Sequence, residues 1–142
     1  MLLIPLLVGV GLIGAGRIVP TPVAHNVAGI AALITFGLAI SVAIERPSVD
    51  RAWLPELGVR SSFAVDGISI PLVLLTALIG VLVVAHARGE VPDGGSAATF
   101  LGCLLLVVGG ALATFTARDA ILFFLAFELV LIPMWVLITR FG

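Results

Sequence analysis

Apolar residues run along this chain in long, unbroken stretches separated by short polar joints. The stretches cover residues 2–19, 27–44, 67–87, 97–117 and 120–139, the first of them crossing Arg17. The joints cover residues 17–26, 45–66 and 88–96, with only Arg118 and Asp119 before the last stretch. A bilayer core takes roughly 20 apolar residues as a helix, and each stretch meets or approaches that length. The strands of a membrane barrel alternate polar and apolar positions over about ten residues. Here Leu101 to Val108 is apolar at every position but Gly102, which is the wrong pattern for a barrel. A helix also satisfies its own backbone hydrogen bonds in lipid. The pattern therefore predicts an all-α integral membrane protein with five transmembrane helices in one transmembrane region and an extramembrane loop over 45–66. The first stretch could be read as a signal peptide, but no basic residue precedes Arg17 to make the positive leading region such a peptide needs.

Composition narrows the class further. Only 11% of the residues are charged and 61% are apolar, against about 25% charged in an average soluble domain. That excludes an ordinary soluble enzyme, and it excludes a disordered tail, which needs low hydrophobicity. The seven basic residues are all arginines and the net charge is −1, so no basic patch is available for nucleic acid. Cys103 stands alone, without a partner for a disulfide or a Cys/His cluster for a metal.

The joint over 45–66 reads ERPSVDRAWLPELGVRSSFAVD and holds seven of the fifteen charged residues. Trp53 and Phe63 among charges and two prolines suit an interfacial loop, and Val59 to Val65 is expected to form a short extended piece or hairpin. The two-residue joint at Arg118-Asp119 makes the last two helices antiparallel neighbours. Five spans place the termini on opposite sides, with three arginines on one side and four on the other, so charge leaves the orientation undecided.

Glu128 is the informative residue. It lies in LFFLAFELVLIPMWVLI, nine residues past Asp119, about 14 Å along a helix and so near the middle of a hydrocarbon core about 30 Å thick. A charge there costs roughly 2.5–3.5 kcal/mol on insertion scales and marks a functional site by default. Burial raises a carboxyl pKa and a nearby cation lowers it again, so a carboxyl with a movable cationic partner can load and release a proton. The bland alternative is a protonated Glu hydrogen-bonded to a neighbouring helix. Arg118 and Arg140 lie about 15 Å and 18 Å along the axis, too far to pair, and no lysine exists. A partner for Glu128 is therefore expected on another polypeptide or beyond Gly142. Pro133 cannot donate to the carbonyl of Leu129, which loosens the helix beside Glu128. It reads as a simple kink or as the edge of a hydrated pocket.

Other candidates have structural readings. Ser69 as N-cap with Pro71 in the first turn explains the run DGISIP, and Asp119 caps the last helix. His25 and His86 sit at segment ends as interfacial histidines, with a proton-relay role as the sharper alternative. Gly9, Gly11, Gly14, Gly16 and the Gly109-Gly110 pair suggest close helix-packing faces. Trp135 with Arg140 suits an interfacial anchor.

The runs AWLPELGVRSSFAVDGISIPLVLLTALIGVL and GGALATFTARDAILFFLAFELVLIPMWVLITRFG carry a resemblance. They resemble subunit M of bacterial NADH–quinone oxidoreductase, chain 4 of respiratory complex I, with VDGIS and FELVLIPMW the most specific parts. The resemblance covers nearly all of this chain but only the first part of the family. It implies the amino-terminal portion of an antiporter-like, fourteen-helix subunit, either a fragment, a truncated reading frame or one piece of a split subunit. The family's midplane glutamate maps onto Glu128, whereas its lysines on later helices have no counterpart here. The aromatic before the glutamate, often Trp, is here Phe127, and that after the Pro-Met pair, often Tyr, is Trp135.

What the resemblance implies is a proton-translocating subunit, multi-pass in a bacterial inner membrane, surrounded by lipid and by other membrane subunits of the oxidoreductase. NADH, FMN, iron–sulfur clusters and quinone would belong to those partners, and this chain would bind no cofactor, metal or nucleic acid. A subunit of a multi-chain cation/proton antiporter or of a membrane-bound hydrogenase is the rival of the same type. A structural membrane fragment without transport activity is the rival of a different class.

Overall fold

A computed structural model describes residues 1–16, 18–46, 48–54, 59–87 and 95–142, with the backbone alone described over 49–54 and 59–62. Five helices form in chain order. They are α1 (Leu3–Ala15), α2 (Thr21–Glu45), α3 (Ser69–His86), α4 (Ala97–Thr116) and α5 (Ala120–Phe141). Between α2 and α3 the chain makes two antiparallel strands, β1 (Ser48–Leu54) and β2 (Val59–Ala64). The expected extended piece over 59–65 is thus one arm of a hairpin. Its other arm, SVDRAWL, carries two charges and lies within the expected loop.

Among the described residues, α2, α3, α4 and α5 are long and apolar enough to cross a membrane. α1 is apolar but has 13 residues, about 20 Å of helix against a core of about 30 Å. Gly16, at φ +44, closes it in a backbone conformation that a side chain would disfavour, and Ile18 and Val19, expected to continue it, are not helical. α2 begins at Thr21 rather than at Val27. Pro20 holds the extended cap position and Pro22 lies in the first turn, where a missing N–H costs nothing. The prolines that read as a joint thus open the helix.

α4 is the axis of the bundle, packing against each of the other four helices. Its small residues permit this. A Cβ added at Gly102 would lie 2.7 Å from the Gly9 carbonyl oxygen of α1 and 2.8 Å from Ile13 Cγ1. A Cβ at Gly109 would meet Leu6 at 2.8 Å, and one at Gly110 would meet Val130 of α5 at 2.6 Å. Gly80 of α3 sits against Val108 in the same way. Gly11 and Gly14, expected on a packing face, have nothing within 4 Å. α2 presents a stripe of buried alanines, Ala24, Ala28, Ala31, Ala32 and Ala39. Large apolar side chains such as Leu33, Leu82, Phe124 and Ile138 point outward, as lipid-facing positions do when neighbouring helices associate through small residues.

The buried threonine hydroxyls bond within their own helices. Thr35 donates to the Ala31 carbonyl at 2.7 Å and Thr116 to that of Leu112 at 2.9 Å, which removes the cost of an unmet donor in lipid.

The α1–α4 crossing sets a clear expectation. Gly102→Ala lowers stability by about 1–3 kcal/mol through backbone overlap that no rotamer change relieves. Gly11→Ala meets no neighbour and does not lower it, helix propensity raising it by up to about 1 kcal/mol. Thermal unfolding in detergent micelles separates the two, and equal midpoints would show that the close crossing is not a constraint.

Candidate proton-translocation site

α5 starts on a well-made cap. The Asp119 carboxylate accepts from the backbone N–H of Ile121 at 2.9 Å and of Leu122 at 3.4 Å, the capping role expected of it. The helix then runs unbroken to Phe141 with Pro133 inside it. Ala126, Val130 and Pro133 form the stripe that meets α4, with Ala126 and Pro133 buried. Glu128 lies about 200° around the helix from Ala126, and its side chain is exposed on the face turned away from the bundle. Phe124 and Trp135, both exposed, share that face. Along the unbroken helix Arg140 keeps an axial separation of about 18 Å from Glu128, and Arg118 lies outside the helix, in the α4–α5 joint.

Pro133 faces elsewhere. It lines a cavity of about 430 Å³ with Ile13 of α1, Thr99, Cys103 and Leu106 of α4, and Thr139 and Arg140 of α5. Glu128 is not among its lining residues. The hydrated pocket considered beside Glu128 is therefore not what Pro133 borders: five residues at 100° each put the two side chains about 140° apart.

The end of the bundle nearest Asp66 is held by charge and backbone together. Arg118, in the α4–α5 joint, pairs with Asp66 at 3.4 Å, and Phe63 of β2 bridges Ala117. Asp66 accepts from the Ser69 N–H at 2.8 Å and the Ile68 N–H at 3.0 Å, while the Ser69 hydroxyl accepts from the Asp66 N–H at 2.8 Å. The cap of α3 is thus Asp66, with Ser69 as the reciprocal partner rather than the N-cap it was expected to be. The spacing D-x-x-S carried this signal, since the residue three places on can reach back to the cap's own N–H. The Ser69 and Ile68 amides, then the Ser69 hydroxyl, with Arg118 adding less, hold the Asp66 carboxyl below its ordinary range.

At the other end, the Phe100 and Phe141 rings meet edge to face at 5.1 Å between centroids, which pins the end of α5 to the start of α4. Trp135 and Arg140 follow one another toward this end, and Trp135 is exposed, the placement expected of an anchor.

No family model matches the chain. NAD(P)H-quinone oxidoreductase chain 4 1 of Synechococcus elongatus is 44% identical over 91 residues, covering 64% of this chain. The chain is similar to chain 4 of NAD(P)H-quinone oxidoreductases. It spans about 16% of that relative's length. Respiratory complex I from Thermus thermophilus with bound NADH contains a chain of the same fold, with TM-score 0.75 and 30% identity over 96% of this chain and 27% of that one. A chain of an archaeal membrane-bound sulfane sulfur reductase shares the fold at TM-score 0.78 and 21% identity, over 99% of this chain and 22% of that one. The resemblance read from VDGIS and FELVLIPMW is borne out by these relatives, and the fold is that of the membrane subunits in such respiratory complexes.

Because the Asp66 carboxyl is held below its unfolded value, the stability it contributes is complete above the ordinary carboxylate pKa, near 4. That stability is lost as pH falls through the lowered folded value. Asp66→Ala therefore melts below the unaltered chain at pH 7, and the gap between them closes as the pH is taken below 4. A constant gap across that range would show that the carboxylate charge is not what holds the cap.

Proposed function

We propose that this chain is the amino-terminal helical part of a proton-translocating subunit of a NADH–quinone oxidoreductase, and that Glu128 is its midplane proton-binding and ion-pairing group. The observation that carries the reading is a lone carboxylate at mid-helix on the face of α5 that this bundle leaves uncovered. A carboxylate is costly in lipid, and a facing cation from further helices or another subunit relieves the cost while lowering its proton affinity. Motion of that cation then alternates uptake and release. The identity to chain 4 relatives supports this oxidoreductase reading over an antiporter or hydrogenase subunit.

On this reading the helices form one multi-pass region of a bacterial inner membrane. The 45–66 joint and Arg118-Asp119 lie on the periplasmic side, and His86 to Ser96 on the cytoplasmic side. Electron transfer from NADH to quinone, with its FMN and iron–sulfur clusters, takes place in partner subunits and drives this one at a distance. Pro133 acts by leaving the Leu129 carbonyl, one residue past Glu128, without its helical donor.

Glu128→Gln keeps the side chain's size and removes its titration. In the intact complex it abolishes or sharply reduces proton pumping, recorded as acidification per NADH oxidised in inverted vesicles. An unaltered proton-to-electron ratio in that variant would sink the assignment.

A further inference from the structure

His25 is buried in the first turn of α2, with 7% of its surface exposed. Its two ring nitrogens each meet a backbone carbonyl oxygen. Nδ1 lies 2.9 Å from the Thr21 oxygen, one turn back in α2, and Nε2 lies 2.9 Å from the Ala87 oxygen at the end of α3. Carbonyl oxygens only accept. A neutral imidazole carries one N–H and one lone pair, so in this geometry a neutral ring would set a lone pair against an oxygen at hydrogen-bond distance. Only the imidazolium donates to both.

The two oxygens differ in what else they can bond. Thr21 is the first residue of α2, so its carbonyl has a helical donor four residues on, the His25 backbone N–H. Ala87 caps α3, and its carbonyl is among those that a helix end leaves without an intrahelical donor. Ala87 is itself buried. The Nε2 bond therefore gives a donor to a helix-end carbonyl that has none within its own helix, and a positive ring there faces the negative end of the α3 dipole. The Nδ1 bond is the dispensable one and the less buried of the two.

We infer that His25 is a second proton-binding site of this chain, separate from Glu128, at which the proton on Nδ1 is bound and released while Nε2–H stays on the Ala87 carbonyl. With the proton bound, the ring ties the start of α2 to the end of α3 by two charge-assisted bonds. With it released, the Nδ1 lone pair repels the Thr21 oxygen, the ring tilts, and the first turn of α2 loosens. Of the elements packed against α2, α1 carries no titratable side chain, α3 carries His86, exposed, beside Ala87, and α4 carries Cys103. Arg17, Arg88, Glu90 and Asp93 fall in the adjoining joints, outside the described residues. The inference rests on the two carbonyls and is independent of the role proposed for Glu128.

The test is 15N NMR of the full chain in lipid bilayers with labelled histidine, in a His86→Gln background so that His25 gives the only signal. Below its titration both ring nitrogens carry protons. As the pH rises, Nδ1 loses its proton and Nε2 keeps one, and amide exchange over Val23 to His25 quickens about tenfold beyond the base-catalysed trend. In His25→Gln, whose amide donates without titrating, that extra step is absent. A neutral ring that keeps its proton on Nδ1, or amide exchange with no step at the His25 titration, would overturn the inference.

Discussion

In lipid there is no water to draw apolar helices together, so their association depends on how closely backbones can approach. In this chain the approach is set by α4. Gly102 lets the α1 backbone in to the distance at which any Cβ would overlap the Gly9 carbonyl, and Gly109 and Gly110 admit Leu6 from α1 and Val130 from α5. The same helix contributes Leu101, Leu105 and Leu112, all fully buried, so it fills the centre while its glycines remove the obstacles to contact. The placement of α5, and with it the direction in which Glu128 points, follows from this. Once Ala126, Val130 and Pro133 are committed to α4, a residue 200° away has only the outer face left.

That commitment separates two features that sit close together in sequence. Glu128 and Pro133 are five residues apart, and a linear reading joins them into one pocket. The helix turns them about 140° apart, with the proline lining a cavity between α1, α4 and α5 that Glu128 does not line. On the proposed function, Pro133 would act on Glu128 along the backbone, through the Leu129 carbonyl to which it cannot donate, and not across a shared cavity.

Much of the helical layout was legible because hydropathy along the chain reports the bilayer directly. The charge-free stretch of α4 and the Asp119 cap are visible without any tertiary information. What was not legible is where a local signal has two readings. Pro20 and Pro22 serve equally in a joint or at a helix start, and only packing of the Ala24 and Ala28 stripe decides for the helix. Gly9 and Gly11 look alike in sequence, yet one touches Gly102 and the other touches nothing. Asp66 and Ser69 each suit an N-cap, and both take part. The contact from His25 to Ala87 joins residues 62 apart, and neither residue announces it, because an orphaned carbonyl is a property of where a helix stops.

The two ends of the bundle are built from different chemistry, which bears on how a proton would meet it. At one end a carboxylate, Asp66, is held charged by backbone amides and an arginine and is locked into a cap. It is spent on structure and has little affinity left for protons. At the other end the histidine ring meets two carbonyl oxygens, those of Thr21 and Ala87. Between them the mid-helix carboxylate has neither amides nor a cation within reach along its own helix. On the proposed function, its partner is whatever covers the outer face of α5. The Asp66 end is committed by local hydrogen bonds while the mid-helix carboxylate is not, so on the proposed function an outside element acts on Glu128 without disturbing the fold.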